Sequence, residues 1–351
     1  MAFTTVGGGL STYIPTTNDI ATGALQVEFT RSVNSFALSR YATLVPVTKM
    51  QGYYLRQDVA DNARVTSANE YAWGLGTDRP AGKQNNFEFV SYTTERFAFP
   101  FYIPQETANQ AAWDTVAQHA RSRAQLAMTR RTSAAATALA TTANWGVTNY
   151  TTAAGSNGPV GSAYVGTGAW VGSAAGDGYI QQTIQQVLQI VGKTTAGAVS
   201  PSQLIMVISP TVANYISQAP EVKEYVKYMA QSVSFLQGTD TFSRWGIPST
   251  LFGLGDVVVD DSVVVTSKQG ATVSSSYVLG NGAYFVSRPA GLVGVEGANS
   301  FSTLQIFAYE DMTVEQFNDP LNRRIEGRVI DNSVAAVVAP VSGFAVLDVT
   351  A

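Results

Sequence analysis

LIMVISPTVANYISQAPEVKEYV, residues 204–226, is the stretch on which the fold turns. Leu204 to Ile208 is an unbroken apolar run, as a buried strand requires. Ser209-Pro210 then supplies a cap and a first-turn proline, which predicts a short helix to about Gln218. Ala219-Pro220 starts another, with Val222, Tyr225, Val226 and Met229 on one face. A buried strand followed at once by amphipathic helices is α/β construction. The chain has 351 residues, enough for two or three domains or one large one with lobes.

Upstream, Ile180, Ile184, Val187, Leu188 and Val191 make an apolar stripe at helical spacing. Residues 151–178 hold eight glycines and read as a loop and lobe boundary. Before them, 104–142 is the strongest helix signal. Pro104 suits the first helical position, no glycine or further proline interrupts, and twelve alanines allow close packing on a sheet. Acidic Glu106 and Asp114 come early and four arginines come late, as the helix dipole prefers. Such a helix would span roughly 55 Å.

Residues 51–103 read as a long two-stranded excursion. Gly52 to Val59 goes out, and Phe87 to Ile103 returns with aromatic residues at alternate positions. The tip carries Trp73 and Lys83. An isolated ribbon is marginal in water, so Trp73, Phe87 and Phe89 are expected to find cover on a neighbouring subunit, together with Lys83. Phe97, Phe99 and Phe101, near the base, should pack close to the long helix. Residues 1–27 read as an extended arm, and Val27 to Val47 as a short helix or turn and then a strand. Downstream come short strands: Ser249 to Phe252, Val257 to Val259, Val263 to Val265, and Tyr277 to Leu279 turning through Asn281-Gly282 into Ala283 to Val286. The C-terminal part is β-rich at Thr303 to Tyr309, Arg328 to Val329, Ala335 to Val338 and Ala345 to Val349.

Composition narrows the function. Charged residues make up 13%, about half the usual share, while the hydrophobic fraction of 45% is ordinary. Interfaces are depleted in the same charged residues, so much of this surface is expected to be covered by neighbours. There is no cysteine, which excludes a disulfide scaffold, a cysteine zinc site and a thiol nucleophile. One histidine, His119, cannot build a multi-histidine metal site. No apolar run of about 18 residues predicts a membrane span, and the first ten residues do not read as a secretory signal. A net charge of −4 argues against broad attraction to nucleic acid or anionic membrane.

The chemistry-bearing motifs fail in detail. Gly82-Lys83 and Gly192-Lys193-Thr194 lack the first glycine of a phosphate loop, and the second pair ends a helix instead of starting one. Asp260-Asp261 and Glu310-Asp311 sit at strand ends, where adjacent side chains point to opposite faces. No cofactor, metal or catalytic residue is expected. Arg121, Arg123, Arg130 and Arg131 are the one dense basic group. Two readings stand for them: a lumen-facing, salt-sensitive contact with packaged nucleic acid or a scaffold, or a solvated helix end with interface ion pairs.

The order of elements resembles the major capsid protein of tailed bacteriophages, the Hong Kong 97 fold shared with encapsulin shells. Residues 204–226 resemble that family's axial-domain core. So do Ser249-Thr-Leu-Phe-Gly253, with Val257-Val-Val259 and Asp261, and Tyr277-Val-Leu-Gly-Asn-Gly-Ala-Tyr-Phe-Val286. Arg324-Ile-Glu-Gly-Arg-Val329 and Ala339-Pro-Val-Ser-Gly-Phe344 fit its usual ending. The resemblance implies an α+β chain with an N-terminal arm and first peripheral strand at 1–50 and an extended loop at 51–103. The peripheral domain's spine helix and Gly-rich loop would then fall at 104–177, an α/β axial domain at 178–297, and C-terminal β segments at 298–351. It implies a structural protein of the virion, assembled in the host cytoplasm as hexamers and pentamers of itself. A portal at one vertex, packaged double-stranded DNA and a decoration protein would be further partners. Residues 1–50 are too short and too uncharged for a built-in scaffolding segment, so a separate scaffolding protein, or none, is implied. Nothing around Lys83 marks an acceptor for the cross-link some members form. The rivals are an encapsulin-type cargo shell, a hydrolase-type enzyme and a β-rich tail or receptor-binding protein.

Overall fold

A computed structural model describes residues 30–57, 59, 73–76, 78, 87–111, 114–146, 149–152, 170, 179–230, 245–248, 250–268, 270–288 and 302–349. In chain order its helices are α1 Leu38–Tyr41, α2 Gln105–Gln110, α3 Thr115–Ala140, α4 Tyr179–Thr194, α5 Pro210–Gln218 and α6 Pro220–Ala230. Its first strands are β1 Thr43–Pro46, β2 Gln51–Gln57, β3 Phe87–Thr93, β4 Glu95–Pro104, β5 Tyr150–Thr152, β6 Leu204–Ile208 and β7 Asp256–Val259. The remainder are β8 Val263–Val265, β9 Ser275–Tyr277, β10 Ala283–Ser287, β11 Leu304–Asp319, β12 Arg324–Val337 and β13 Phe344–Leu347.

The apolar run Leu204–Ile208 is an inner strand of a five-stranded mixed sheet ordered β5-β13-β10-β6-β7. Successive side chains alternate between its faces, and both faces are covered. Leu204, Met206 and Ile208, with Val257, Phe285 and Phe344, join a core with Ile180, Ile184, Val187 and Val191 of α4 and with Val212, Ile216 and Val222 of α5 and α6. Val207, Val258, Tyr284, Val286 and Ala345 point the other way. They pack with Leu38 and Tyr41 of α1, Met128, Ala135, Ala136 and Leu139 of α3, and Trp145. Two-sided burial is why this strand reads as continuous apolar sequence instead of alternating.

The second sheet is four-stranded, β1-β11-β12-β4, with β1 parallel to β11 and the other pairs antiparallel. Helix α3 lies along β12 and β4, and Leu304 and Ile306 of β11 reach the same core as its C-terminal half. So α3 ties the two sheets together. Gly327 has a specific task here. A Cβ at this position would run into the far edge of the Phe101 ring on the neighbouring strand. His119 of α3 stacks over that ring with centroids 6.1 Å apart.

Several sequence expectations need correction. The long helix is two: α2 stops at Gln110, and Asp114 caps α3 by accepting from the Ala117 N–H at 2.9 Å. Pro104 is the N-cap of α2 and still pairs with Arg324 as the end of β4. An early aspartate favours a helix either as dipole partner or as cap, so sequence does not separate the two roles. Helix α3 spans about 39 Å at 26 residues. The return strand Phe87 to Ile103 also divides, at buried Thr94. Strand β3 pairs with β2, whereas β4 pairs with β12 in the four-stranded sheet. Near its base Phe97 and Phe101 do meet α3, through Arg130 and His119.

Ser249 to Phe252 is not a strand among the described residues. Residues 252 and 253 turn there with positive φ, 49° at Phe252 and 93° at Gly253, while Leu251 is buried. Tyr277 does not form a hairpin with Ala283 to Val286. Strand β9 pairs with β8, and β10 is inserted between β6 and β13. Pairing with two apolar strands in a double-sided core outweighs one local turn. The separate C-terminal strands beginning at Thr303, Arg328 and Ala335 are parts of one long hairpin, β11–β12, which turns at 320–323. The arm at 1–27 and most of the Gly-rich 151–178 lie outside the described residues.

The segment 31–41 is fastened to the five-stranded sheet by polar links. Arg31 pairs with Asp261 and Arg40 with Asp256, each at 2.8 Å. The Tyr41 hydroxyl donates to buried Asp260 at 2.8 Å. Burial first, then the Asp260 charge and that hydrogen bond, push the Tyr41 pKa well above its usual value of about 10. The folded state therefore favours the neutral phenol. Its contribution is complete below pH of about 10 and is lost as pH rises from there. Tyr41→Phe strips Oδ2 of Asp260 of its donor and is expected to cost about 1–3 kcal/mol at neutral pH. Urea unfolding at pH 7 and pH 11 should show a smaller alkaline loss in the variant than in the parent. Equal alkaline losses would contradict this role.

Candidate assembly surface

Strands β2 and β3 form a two-stranded ribbon with Tyr53 opposite Ser91 and Leu55 opposite Phe89. Because side chains alternate, Tyr53, Leu55, Phe87 and Phe89 share one face. That face is bare: Tyr53 is 74% exposed, Phe89 73%, Leu55 53% and Phe87 45%. Adjacent exposed aromatic and aliphatic groups of this kind make the face a candidate for cover by a partner. The opposite face is not bare. Tyr54 and Tyr92 both stack on Phe307 of β11, at centroid distances of 5.6 and 4.5 Å. Arg56 Nε donates to the Val338 carbonyl at 3.2 Å and its guanidinium pairs with Glu88. The expectation that the ribbon makes its main contacts away from its own chain is corrected for this inner face, which rests on the chain's own sheet. Trp73 is exposed, and Lys83 lies outside the described residues.

A second group of exposed apolar side chains sits at the far end of the four-stranded sheet. Phe317 and Tyr102 flank Glu326 across three strands, with Val314 and Leu321 nearby and all four exposed. Arg324 lies over Tyr102 and Arg328 over Phe317. Arg328 also pairs with Glu315, and Arg324 with Glu326 and Asp319. The lateral aromatic groups thus come with neutralised arginines. The sequence reading missed this end because β11 beyond Tyr309 is mostly polar and carries no apolar alternation.

The basic group divides. Arg131 is 5% exposed and pairs with buried Asp331, and with Asp311 at 2.8 Å. Burial alone would lower its pKa, but the hydrogen bond and charge of Asp331, followed by Asp311, outweigh that and raise it. Arg130 lies over the Phe97 ring at 3.1 Å and pairs with Glu95 at 3.3 Å. Its pKa is lowered, by burial first, against the opposing pull of Asp331 and Glu95. The lumen-facing reading of Arg131 is thereby corrected, since its charge is spent inside the subunit in joining α3 to the sheet, whereas Arg130 is half-buried and pairs with the exposed Glu95. Arg121 and Arg123, a turn or more earlier, remain on the surface, Arg121 exposed and Arg123 half-buried.

The remaining motifs have structural roles. His119 has its pKa lowered by burial and then by Arg123. The two acidic pairs point apart: Asp260 to Tyr41 and Asp261 to Arg31, Glu310 to Arg96 and Asp311 to Arg131. Gly192-Lys193-Thr194 ends α4, where the Thr194 hydroxyl donates to the Ile190 and Val341 carbonyls. Among the described residues no group of three or more His, Asp or Glu is placed to hold a metal ion, and no helix is long and apolar enough to cross a membrane.

No family model and no curated protein sequence matches the chain. Solved structures do. A phage-related protein from Bordetella bronchiseptica RB50 is similar with a TM-score of 0.61 and 15% identity, over 94% of this chain and 95% of that one. The capsid of cyanophage P-SCSP1u gives 0.56 and 10%, over 93% and 90%. The mature capsid of bacteriophage PhiM1 gives 0.52 and 12%, over 99% and 92%. At such identities the likeness is one of fold. The chain shares the α+β fold of these structures, two of them phage capsids, along nearly its whole length.

Proposed function

We propose that this chain is the major capsid protein of a tailed bacteriophage, a structural protein that assembles with copies of itself into a closed shell around double-stranded DNA. The observation that carries this is the ribbon's bare apolar face on a subunit whose fold is that of capsid subunits. A low charge content supports it, because such a surface repels its own copies weakly. In this reading the four-stranded sheet with α3 is the peripheral domain and the five-stranded sheet with α4, α5 and α6 the axial domain. The extended loop then ends at Thr93, where the chain enters β4. Hexamers and pentamers are the assembling units. A separate scaffolding protein, a portal at one vertex and a decoration protein belong to the same reading, as does assembly in the host cytoplasm. Arg121, Arg123 and Arg130 are the remaining candidates for a lumen-facing, non-specific contact with DNA.

Electron microscopy and sedimentation of the expressed chain test this. Closed particles, or rings of five or six subunits, are expected. A single species of 37.2 kDa across a wide range of concentration and salt would overturn the proposal.

A further inference from the structure

The ribbon meets its own subunit through a small and specific set of groups. Gly52 stands opposite Tyr92 in the β2–β3 ladder. A Cβ at Gly52 would come within 2.6 Å of the Tyr92 hydroxyl oxygen and 2.8 Å of the ring carbon bearing it. The glycine therefore lets the Tyr92 ring fold across β2. In that position Tyr92 stacks on Phe307 at 4.5 Å with planes 13° apart, and Tyr54 stacks on the same Phe307 at 5.6 Å and 23°. Phe307 itself is 3% exposed and is paired with both Val45 of β1 and Val334 of β12. It is an inner-strand residue, rigidly placed by neighbours on each side. Beyond the rings, Arg56 reaches the Val338 carbonyl, and Thr94 fixes the exit by donating its N–H to the Met50 carbonyl at 2.8 Å.

We propose that Gly52, Tyr54, Tyr92 and Phe307 form a clamp that sets the ribbon's direction on its own subunit, so that the face of Tyr53, Leu55, Phe87 and Phe89 is presented preformed to its partner. The physical case is one of preorganisation. A two-stranded ribbon has no core of its own, and a ribbon free to swing would lose that freedom only on binding, at a cost in affinity. Two rings stacked on a fixed third remove the freedom beforehand. The alternation of strand side chains makes the device two-sided: the residues that hold the inner face down are those that leave the outer face clear. Gly52 is a positioning residue in this sense, since it touches no partner and acts through the Tyr92 ring. What the clamp is for rests on the assembly reading; that it clamps does not.

The chain has no cysteine, so introduced pairs report without interference. Arg56→Cys with Val338→Cys, a contact beside the three rings that leaves all of them in place, is treated with a short bifunctional maleimide under conditions where the protein is native. The expected product is an intrachain link, running as a monomer on a denaturing gel, whether the sample is free subunit or particle. Ladders of dimers and higher species, or no link at all, would overturn the clamp. In the otherwise unaltered chain, Tyr54→Ser with Tyr92→Ser is expected to raise hydrogen-exchange rates of residues 51–57 and 87–93 at least tenfold, with β6 and β10 unaffected. Unchanged exchange would also overturn it. Gly52→Val should act in the same direction while leaving all three rings in the sequence. If the native chain forms no particles but the links are intrachain, the assembly reading fails and the clamp stands. If particles form and the links run between chains, the reverse holds.

Discussion

Asp331→Ala is expected to destabilise the subunit by about 3–5 kcal/mol, the usual cost of removing one partner from a buried ion pair. Asp331 is fully buried in β12 and takes hydrogen bonds from Arg131 and from the Ser333 hydroxyl, the latter at 3.0 Å. Its removal leaves the Arg131 guanidinium facing the interior with only Asp311, itself half exposed, as counter-charge. The loss is felt where α3 crosses the four-stranded sheet, so it loosens the joint between the two sheets. The paired replacement Arg131→Met with Asp331→Leu removes both charges and keeps apolar volume. It is expected to recover most of the stability, since a buried pair is worth little more than a well-packed apolar substitute. Urea unfolding followed by circular dichroism gives the three stabilities. A single Asp331→Ala loss below about 1 kcal/mol would show that Arg131 finds another partner or opens to water.

The same arginine shows where sequence reading reaches its limit. The five-stranded sheet was legible at Leu204–Ile208 because a strand covered on both faces is apolar at every position. The helices after it were legible because proline and an apolar stripe mark each start and face. Arg130 and Arg131 read equally well as a surface group, since the carboxylates that neutralise Arg131 lie 180 and 200 residues away in sequence. Nothing local separates a charge in solvent from one folded against a distant strand. The long hairpin escaped for a related reason. Its outer half is exposed and polar on β11, so the pairing with β12 is set by the turn at 320–323 and by register, not by an apolar period. The ribbon's bare face was readable as alternating aromatics. Its docked face was not, because Phe307 is 215 residues away from Tyr92 and belongs to another sheet.

Leu55→Ser with Phe89→Ser is expected to abolish assembly at concentrations where the parent forms particles, while the far-ultraviolet circular dichroism and the unfolding midpoint of the subunit stay near parental values. The two residues are cross-strand partners on the bare face, so the pair removes its centre. Burying one such side chain at a contact is worth roughly 1.5–3 kcal/mol. Losing two from every ribbon contact is therefore about 3 kcal/mol or more, and each 1.4 kcal/mol is tenfold in association. The concentration needed for assembly should rise by about a hundredfold at least. The subunit itself loses little, because both side chains are already in solvent in the free chain. Ile184→Ser is the opposite control: a fully buried residue of the double-faced core, whose replacement should unfold the subunit and so remove helix signal as well as particles. Light scattering against concentration, with electron microscopy of the products, separates these outcomes. If the Leu55/Phe89 double variant assembles with the parent's concentration dependence, the bare face is not the contact and the assembly surface lies elsewhere, with the Phe317–Tyr102 end of the four-stranded sheet next in line. The clamp variants make the complementary case. Tyr54→Ser with Tyr92→Ser keeps the bare face intact but frees its direction, so contacts form at variable angles and particles of mixed size are expected where the Leu55/Phe89 variant gives none.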